Sequence, residues 1–160
     1  MWGSRWAKSI GDPQFAVITE AALTEAKIDP ACLVFELTET AALANVEEAT
    51  RFAGRLRRAG CQVALDDFGA GFGSFYYLKY LPFDLLKIDG DFVHNFAAGP
   101  IDQLVVKAIV GIAQEMGKRT VAELIENGTV SRLLHDSGVD YGQGYHLGWP
   151  QPIRDVLLAT

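Results

Sequence analysis

Four short apolar runs punctuate the chain: Cys32–Phe35, Val63–Leu65, Leu85–Leu86 and Thr120–Ala122. Each gives way to charge, at Glu36, Asp66-Asp67, Lys87 and Glu123 respectively. Runs this short, bounded by polar clusters, predict buried strands. Between them the period changes. Val46, Ala49, Phe52, Ala53 and Leu56 recur at helical spacing across Asn45–Arg58, and the pattern stops at Gly60. Leu104, Val105, Ala108, Ile109, Ile112 and Ala113 do the same across Gln103–Met116, ending at Gly117. Glycine just past a last turn is a common helix stop. A further helix is predicted over residues 14–27 and a short one over Val130–Asp136. Strands alternating with helices imply βα units and a parallel sheet. Charge at the C-terminal ends of several strands points to a TIM-type (β/α)8 barrel, whose chemistry gathers on that face. A doubly wound open sheet is the competing α/β arrangement, and periodicity does not separate the two.

Composition narrows the partners. The chain has 160 residues, one domain's worth, and 49% of them are hydrophobic, enough for a core. A formal net charge of −6 argues against a general DNA or membrane-surface binder. An acidic protein still binds a phosphodiester where metal ions neutralise its carboxylates. Cys32 and Cys61 sit beside apolar runs and read as two buried free thiols. Neither has a CxxC partner that would suggest zinc. No apolar run approaches the roughly 18 residues of a membrane span, and the start MWGSRWAKS lacks the apolar stretch of a secretion signal. A cytoplasmic location is the expectation. His94, His135 and His146 show no ligand spacing and read as surface or satisfied residues. Trp2 and Trp6 read as packing or interface residues.

The chemistry concentrates in Ala64–Val93, ALDDFGAGFGSFYYLKYLPFDLLKIDGDFV. Adjacent carboxylates repel and usually need a cation or a proton between them. Asp66-Asp67 at a strand end is therefore a metal-site candidate. Lys87, at the end of the next strand, can serve a phosphate or an attacking water. The glycine-rich loop Gly69–Ser74 between them is not a P-loop, since no Gly-Lys-Ser/Thr follows.

This block resembles the central signature of the EAL domain, the bacterial cyclic-di-GMP phosphodiesterase family, in which DDFG-x-G and LKID recur at this separation. The resemblance extends upstream through Glu36-Leu37-Thr38-Glu39 and Ser9–Pro13. Downstream it takes in Ala122-Glu123 and Gln143-Gly144-Tyr145, so it covers about residues 9–153. It implies the barrel rather than the open sheet. It implies Glu36 and Asp66 as ligands of a first Mg²⁺ or Mn²⁺, and Asp66 with Asp67 as ligands of a second. Hard oxygen donors on strand ends suit such ions, and a pair about 4 Å apart activates water and stabilises a leaving oxygen. Lys87, Glu123 and Glu39 form the implied catalytic set. Lys87 positions water or phosphate, Glu123 lies near the attacking water, and Glu39 anchors the Gly69–Ser74 loop, although first-turn helix charge explains Glu39 equally well. Gln143 and Asp89 are the implied substrate-side residues. Gln143 faces a base edge or a water, and Asp89 holds a water or orients its neighbours. Glu126, the second glutamate of the family's Ala-Glu-Gly-Val-Glu, reads as structural.

Three departures qualify the match. Gly73 stands where serine is usual, Leu124 where glycine is usual, and Trp149-Pro150-Gln151-Pro152 keeps only the prolines of the exit motif. The Glu-Ala-Leu tripeptide occurs nowhere in the chain, and the asparagine expected upstream falls on Ser4. Residues 1–8 therefore read as a divergent, truncated or vector-derived start, and 9–160 as a partial domain, a barrel lacking its first strands. The resemblance implies hydrolysis of cyclic-di-GMP to pGpG. With two ligands of the first metal absent, this chain alone is expected to be weakly active or inactive. The alternative is a catalytically degenerate module for cyclic-di-GMP binding, regulation or dimerisation. A homodimer is expected, with a sensory or diguanylate-cyclase (GGDEF) domain upstream in the parent protein.

Overall fold

The computed structural model describes residues 13–69 and 75–152. Trp2, Ser4, Trp6, Ser9–Asp12 and the loop residues 70–74 lie outside the described residues.

Among the described residues five parallel strands form one sheet: β1 Val34–Thr38, β2 Gln62–Phe68, β3 Leu85–Ile88, β4 Arg119–Ala122 and β5 Tyr141–Gly142. Among the same described residues six α-helices accompany them: α1 Pro13–Ala26, α2 Glu39–Ala44, α3 Val46–Arg58, α4 Gly90–His94, α5 Pro100–Glu115 and α6 Gly128–Asp136. Spatial order equals chain order, β1 to β5. A doubly wound sheet reverses its order at a switch point. Here no reversal occurs, and crossovers of one hand keep the helices on one side. The winding is that of a (β/α) barrel, of which these strands form an arc.

Burial explains why the strands are legible as apolar runs. β3 is buried at all four positions, and Val63, Ala64 and Leu65 of β2 are at most 1% exposed. Strands covered on both faces read as continuous rather than alternating apolar sequence. Ala49, Ala53 and Leu56 of α3 and Val106, Ile109, Val110 and Ala113 of α5 are buried in the same core. The Asn45 side chain caps α3 by accepting from Glu48 N–H at 3.1 Å, while its amide donates to the Glu48 carboxylate at 3.2 Å. The first bond satisfies the otherwise orphaned Glu48 N–H of the first turn, and the second holds the capping side chain in place. Gly60 and Gly117, just beyond α3 and α5, have φ of 92° and 64°, where a side chain would be strained.

Several expectations shift. Glu36 lies in the middle of β1 rather than at its end. α5 begins at Pro100, three residues earlier than its apolar period suggests, because proline is favoured in the first helical turn. Cys61 is buried but Cys32 is exposed, in a short 3-10 turn that precedes β1.

Candidate metal centre

Strand register alone assembles most of the site. Residues paired across a parallel ladder point to the same face, as do residues two apart in a strand. Glu36 pairs with Ala64, Ala64 with Leu85, and Lys87 with Val121. Stepping two residues along β2 from Ala64 reaches Asp66, and two along β3 from Leu85 reaches Lys87. Two beyond Val121 is Glu123, just past β4. Glu36, Asp66, Lys87 and Glu123 therefore converge on one face, at the C-terminal side of the sheet.

By the same rule Asp67 belongs to the opposite face. The ladder breaks to prevent this: Leu65 pairs with Leu86, but Phe68 pairs with Ile88. Three steps on β2 match two on β3, so β2 carries one extra residue, a bulge. Asp67 sits in it with φ 56°, a left-handed conformation that aspartate tolerates better than most residues. Bulges of this kind re-aim side chains. As a result one carboxylate oxygen each from Asp66, Asp67 and Glu123 lie within 4.8 Å of one another.

Lys87 occupies the middle of the cluster. Its Nζ lies 2.8 Å from Glu36 Oε1, 2.8 Å from Asp66 Oδ1 and 2.7 Å from Glu123 Oε1. The lysine side chain is 5% exposed, whereas that of Glu36 is 49% exposed. Burial alone would lower the ammonium's pKa, but the contacts with Asp66, Glu123 and Glu36 outweigh it and hold the pKa above its ordinary value. One ammonium does not balance four carboxylates. Asp67 is pushed up by burial and then by the charges of Asp66 and Asp89, with Lys87 only partly offsetting them. Glu123 is likewise raised by burial despite its ion pair with Lys87. Asp66 Oδ1 is buried with no well-aligned hydrogen bond, only the nearby ammonium. Unbalanced carboxylate oxygens with a poorly satisfied buried member suit a hard divalent cation. The sequence reading missed Glu123 as a member of this oxygen group, because its approach to Asp67 depends on the bulge.

The remaining candidates frame the cluster. Glu39, 4% exposed, accepts from Tyr77 Oη at 3.0 Å and from Gly69 N–H at 3.4 Å, beside the loop entrance. Thr38 caps α2 directly ahead of it. Burial and the Glu39 carboxylate together push the Tyr77 phenol up, keeping its proton on the shared bond. Asp89 caps α4 by accepting from Asp91 N–H at 2.8 Å. Gln143 is exposed, while its backbone is fixed to the end of β4: its N–H donates to Ala122 O at 2.8 Å and its carbonyl accepts from Ile125 N–H at 3.0 Å. A Cβ on Gly144 would lie 2.3 Å from the Ile125 backbone, so only glycine permits this approach. The next turn carries an exposed stacked pair, Tyr145 and Trp149, with ring centroids 4.1 Å apart. Leu124, beside Glu123, has φ 52° and lies over Gly90, where a Cβ would come within 2.3 Å of its Cδ1. His94 and Glu126 approach to 3.4 Å at the surface.

Known proteins resemble this chain in sequence and fold. The EAL domain family model matches residues 6–150. The chain is 45% identical over 122 residues to the cyclic di-GMP phosphodiesterase PdeB of Shewanella oneidensis, covering 76% of this chain and 14% of that protein. It is 39% identical over 149 residues to PdeF of Escherichia coli, covering 93% and 20% respectively. The chain thus spans about a seventh to a fifth of these curated relatives. Among solved structures it resembles the MucR phosphodiesterase in complex with c-di-GMP, with TM-score 0.87 and 30% identity over 94% of this chain and 61% of that one. The FimX EAL domain from Pseudomonas aeruginosa bound to c-di-GMP gives TM-score 0.84 and 30% identity over 91% and 60%. With its sequential parallel strands, its carboxylates gathered at their C-terminal side and a family match across most of its length, the chain belongs to the EAL domain family.

Proposed function

We propose that this chain carries the phosphodiester-cleaving centre of a metal-dependent cyclic-di-GMP phosphodiesterase that releases pGpG. The observation that carries the reading is the convergence of Asp66, Asp67 and Glu123 within 4.8 Å around a buried lysine. Asp66 and Asp67 would hold Mg²⁺ or Mn²⁺, with Glu36 and Glu123 completing the oxygen set. A bound ion supplies Lewis-acid charge at the phosphate and lowers the cost of deprotonating water. Water attacks phosphorus and the 3′-oxygen leaves. Glu123 accepts a proton from the attacking water. Lys87 keeps its proton and presents positive charge to the phosphoryl oxygens. Glu39 acts through the loop as a positioning residue, and Asp89 fixes the start of α4 beside Asp67. Gln143 meets a base edge, and the Tyr145–Trp149 pair offers a flat face on which a base stacks.

The test is calorimetric titration of the chain with cyclic-di-GMP, using Ca²⁺ as a non-turnover ion and EDTA as control, followed by detection of pGpG with Mg²⁺ or Mn²⁺. Metal-dependent binding that Asp66→Ala abolishes supports the reading; binding indifferent to both EDTA and Asp66→Ala sinks it. Turnover by this chain alone is expected to be slow, since its sequence carries no Glu-Ala-Leu tripeptide and has Ser4 at the asparagine position. A second reading, a module that binds cyclic-di-GMP without cleaving it, is favoured by Lys87 tying up three of the carboxylates. Binding with Mg²⁺ and no pGpG would select it.

A further inference from the structure

We infer that Lys87 sets the cation affinity of this centre, because its ammonium holds the oxygens that a divalent ion needs. An ammonium has three protons, and here three carboxylate oxygens lie 2.7–2.8 Å from it. Its side chain is 5% exposed, so little water is available to replace them. Two of its partners, Asp66 and Glu123, belong to the group of three acids close enough to share an ion. An ion entering with Lys87 in place meets a positive charge among its own ligands. Asp67 is the exposed member of the group, and no ion pair joins it to the ammonium among the described residues. It is therefore the ligand that an arriving ion meets first. Withdrawal of the ammonium then releases Glu36, Asp66 and Glu123 together. The exchange trades one positive charge for two, which favours divalent over monovalent ions. Lys87 also keeps the carboxylates from repelling one another while no ion is bound, so it holds the site open at the expense of affinity.

This inference rests on the metal reading above, and its test separates the two. Mn²⁺ binding is measured by calorimetry at pH 8 on the 160-residue chain and on Lys87→Met, which keeps the apolar stem and removes the charge. The variant should bind at least tenfold more tightly, about 1.4 kcal/mol, and its Tm without metal should fall and recover when Mn²⁺ is added. Equal or weaker affinity in a folded Lys87→Met overturns the inference and leaves the metal reading intact. No Mn²⁺ binding by either protein overturns both. Should the variant fail to fold, NMR of the lysine ammonium groups of the unaltered chain decides. The Lys87 signal should be protected from exchange without metal and shift or lose protection on adding Ca²⁺. A signal that Ca²⁺ leaves unchanged, in protein shown to bind it, refutes the inference.

Discussion

At the scale of single residues, two non-glycine positions in left-handed conformation flank the chemistry, and they differ in kind. Asp67 is an acid whose conformation the bulge requires. Asp67→Asn keeps a residue at ease in that region and removes one of the repelling charges. It should leave the Tm of the metal-free chain unchanged or higher while weakening Mn²⁺ binding at least tenfold, as calorimetry and thermal melts would show. A large drop in Tm would mean that the carboxylate itself holds the bulge. Leu124 is a bulky residue at φ 52°, a conformation that costs L-residues about 1–2 kcal/mol. Leu124→Gly relieves that strain but adds backbone entropy of about 0.5–1 kcal/mol and loses the contact over Gly90. Its unfolding free energy should therefore stay within about 1 kcal/mol of the original. Leu124→Val, β-branched at the same φ, should be less stable than either. Denaturant titration of the three proteins checks that order.

Elements differ in how much of themselves they show in sequence. β1 to β4 are readable because each contributes an apolar run buried by its neighbours, and α3 and α5 because one face of each repeats at helical spacing. β5 has two residues, Tyr141 and Gly142, both exposed, so it offers no run at all. α2 and α4, at six and five residues, are too short for a period to register. The charges that close the apolar runs mark Glu36, Asp66, Lys87 and Glu123 as site candidates. The way they meet does not show, because it is a property of the register between strands whose paired residues lie 20 to 34 positions apart. The Tyr145–Trp149 turn is hidden for a similar reason. Its place beside the end of β4 comes from backbone bonds to Ile125, which no local pattern encodes. Trp149→Ala should weaken Ca²⁺-dependent cyclic-di-GMP binding about tenfold, ~1.4 kcal/mol, with Mn²⁺ affinity unchanged. Unaltered dinucleotide affinity would move the base elsewhere.

Over the whole molecule, the two ends of the sheet do different work. The C-terminal side holds the charged centre. The opposite side is closed by Arg57 paired with Asp84 at 3.0 Å and by Arg119 reaching Gln62 and Tyr141. Both cysteines lie there, one exposed and one buried, and burial pushes the Cys61 thiol up, with the Glu20 charge adding to it. A thiol reagent should label Cys32 within minutes and Cys61 only on unfolding; two fast thiols would show that the start of β2 opens readily. β1 pairs on one side only among the described residues, and Val17, Ile18 and Val34 are exposed. Apolar side chains exposed together favour association with another chain. The chain is proposed to self-associate, so its mass by light scattering should rise with concentration. A constant monomer mass at high concentration would contradict that.

The bulge in β2 makes the centre a matter of parity. Side chains along a strand alternate between two faces, and every residue of the centre but Asp67 falls on one face by plain alternation. The extra residue shifts the count once, at the place where two consecutive acids must both be of use. Excising one residue there would restore an unbroken ladder, leaving Val63, Leu65, Leu86 and Ile88 in the same core. It would leave β2 with a single acid on the face of the lysine, beside Glu36 and Glu123 from the neighbouring strands. Such a chain could fold as before and yet lose the ion proposed for it, so in this sheet a scaffold and the proposed centre differ by one step of counting.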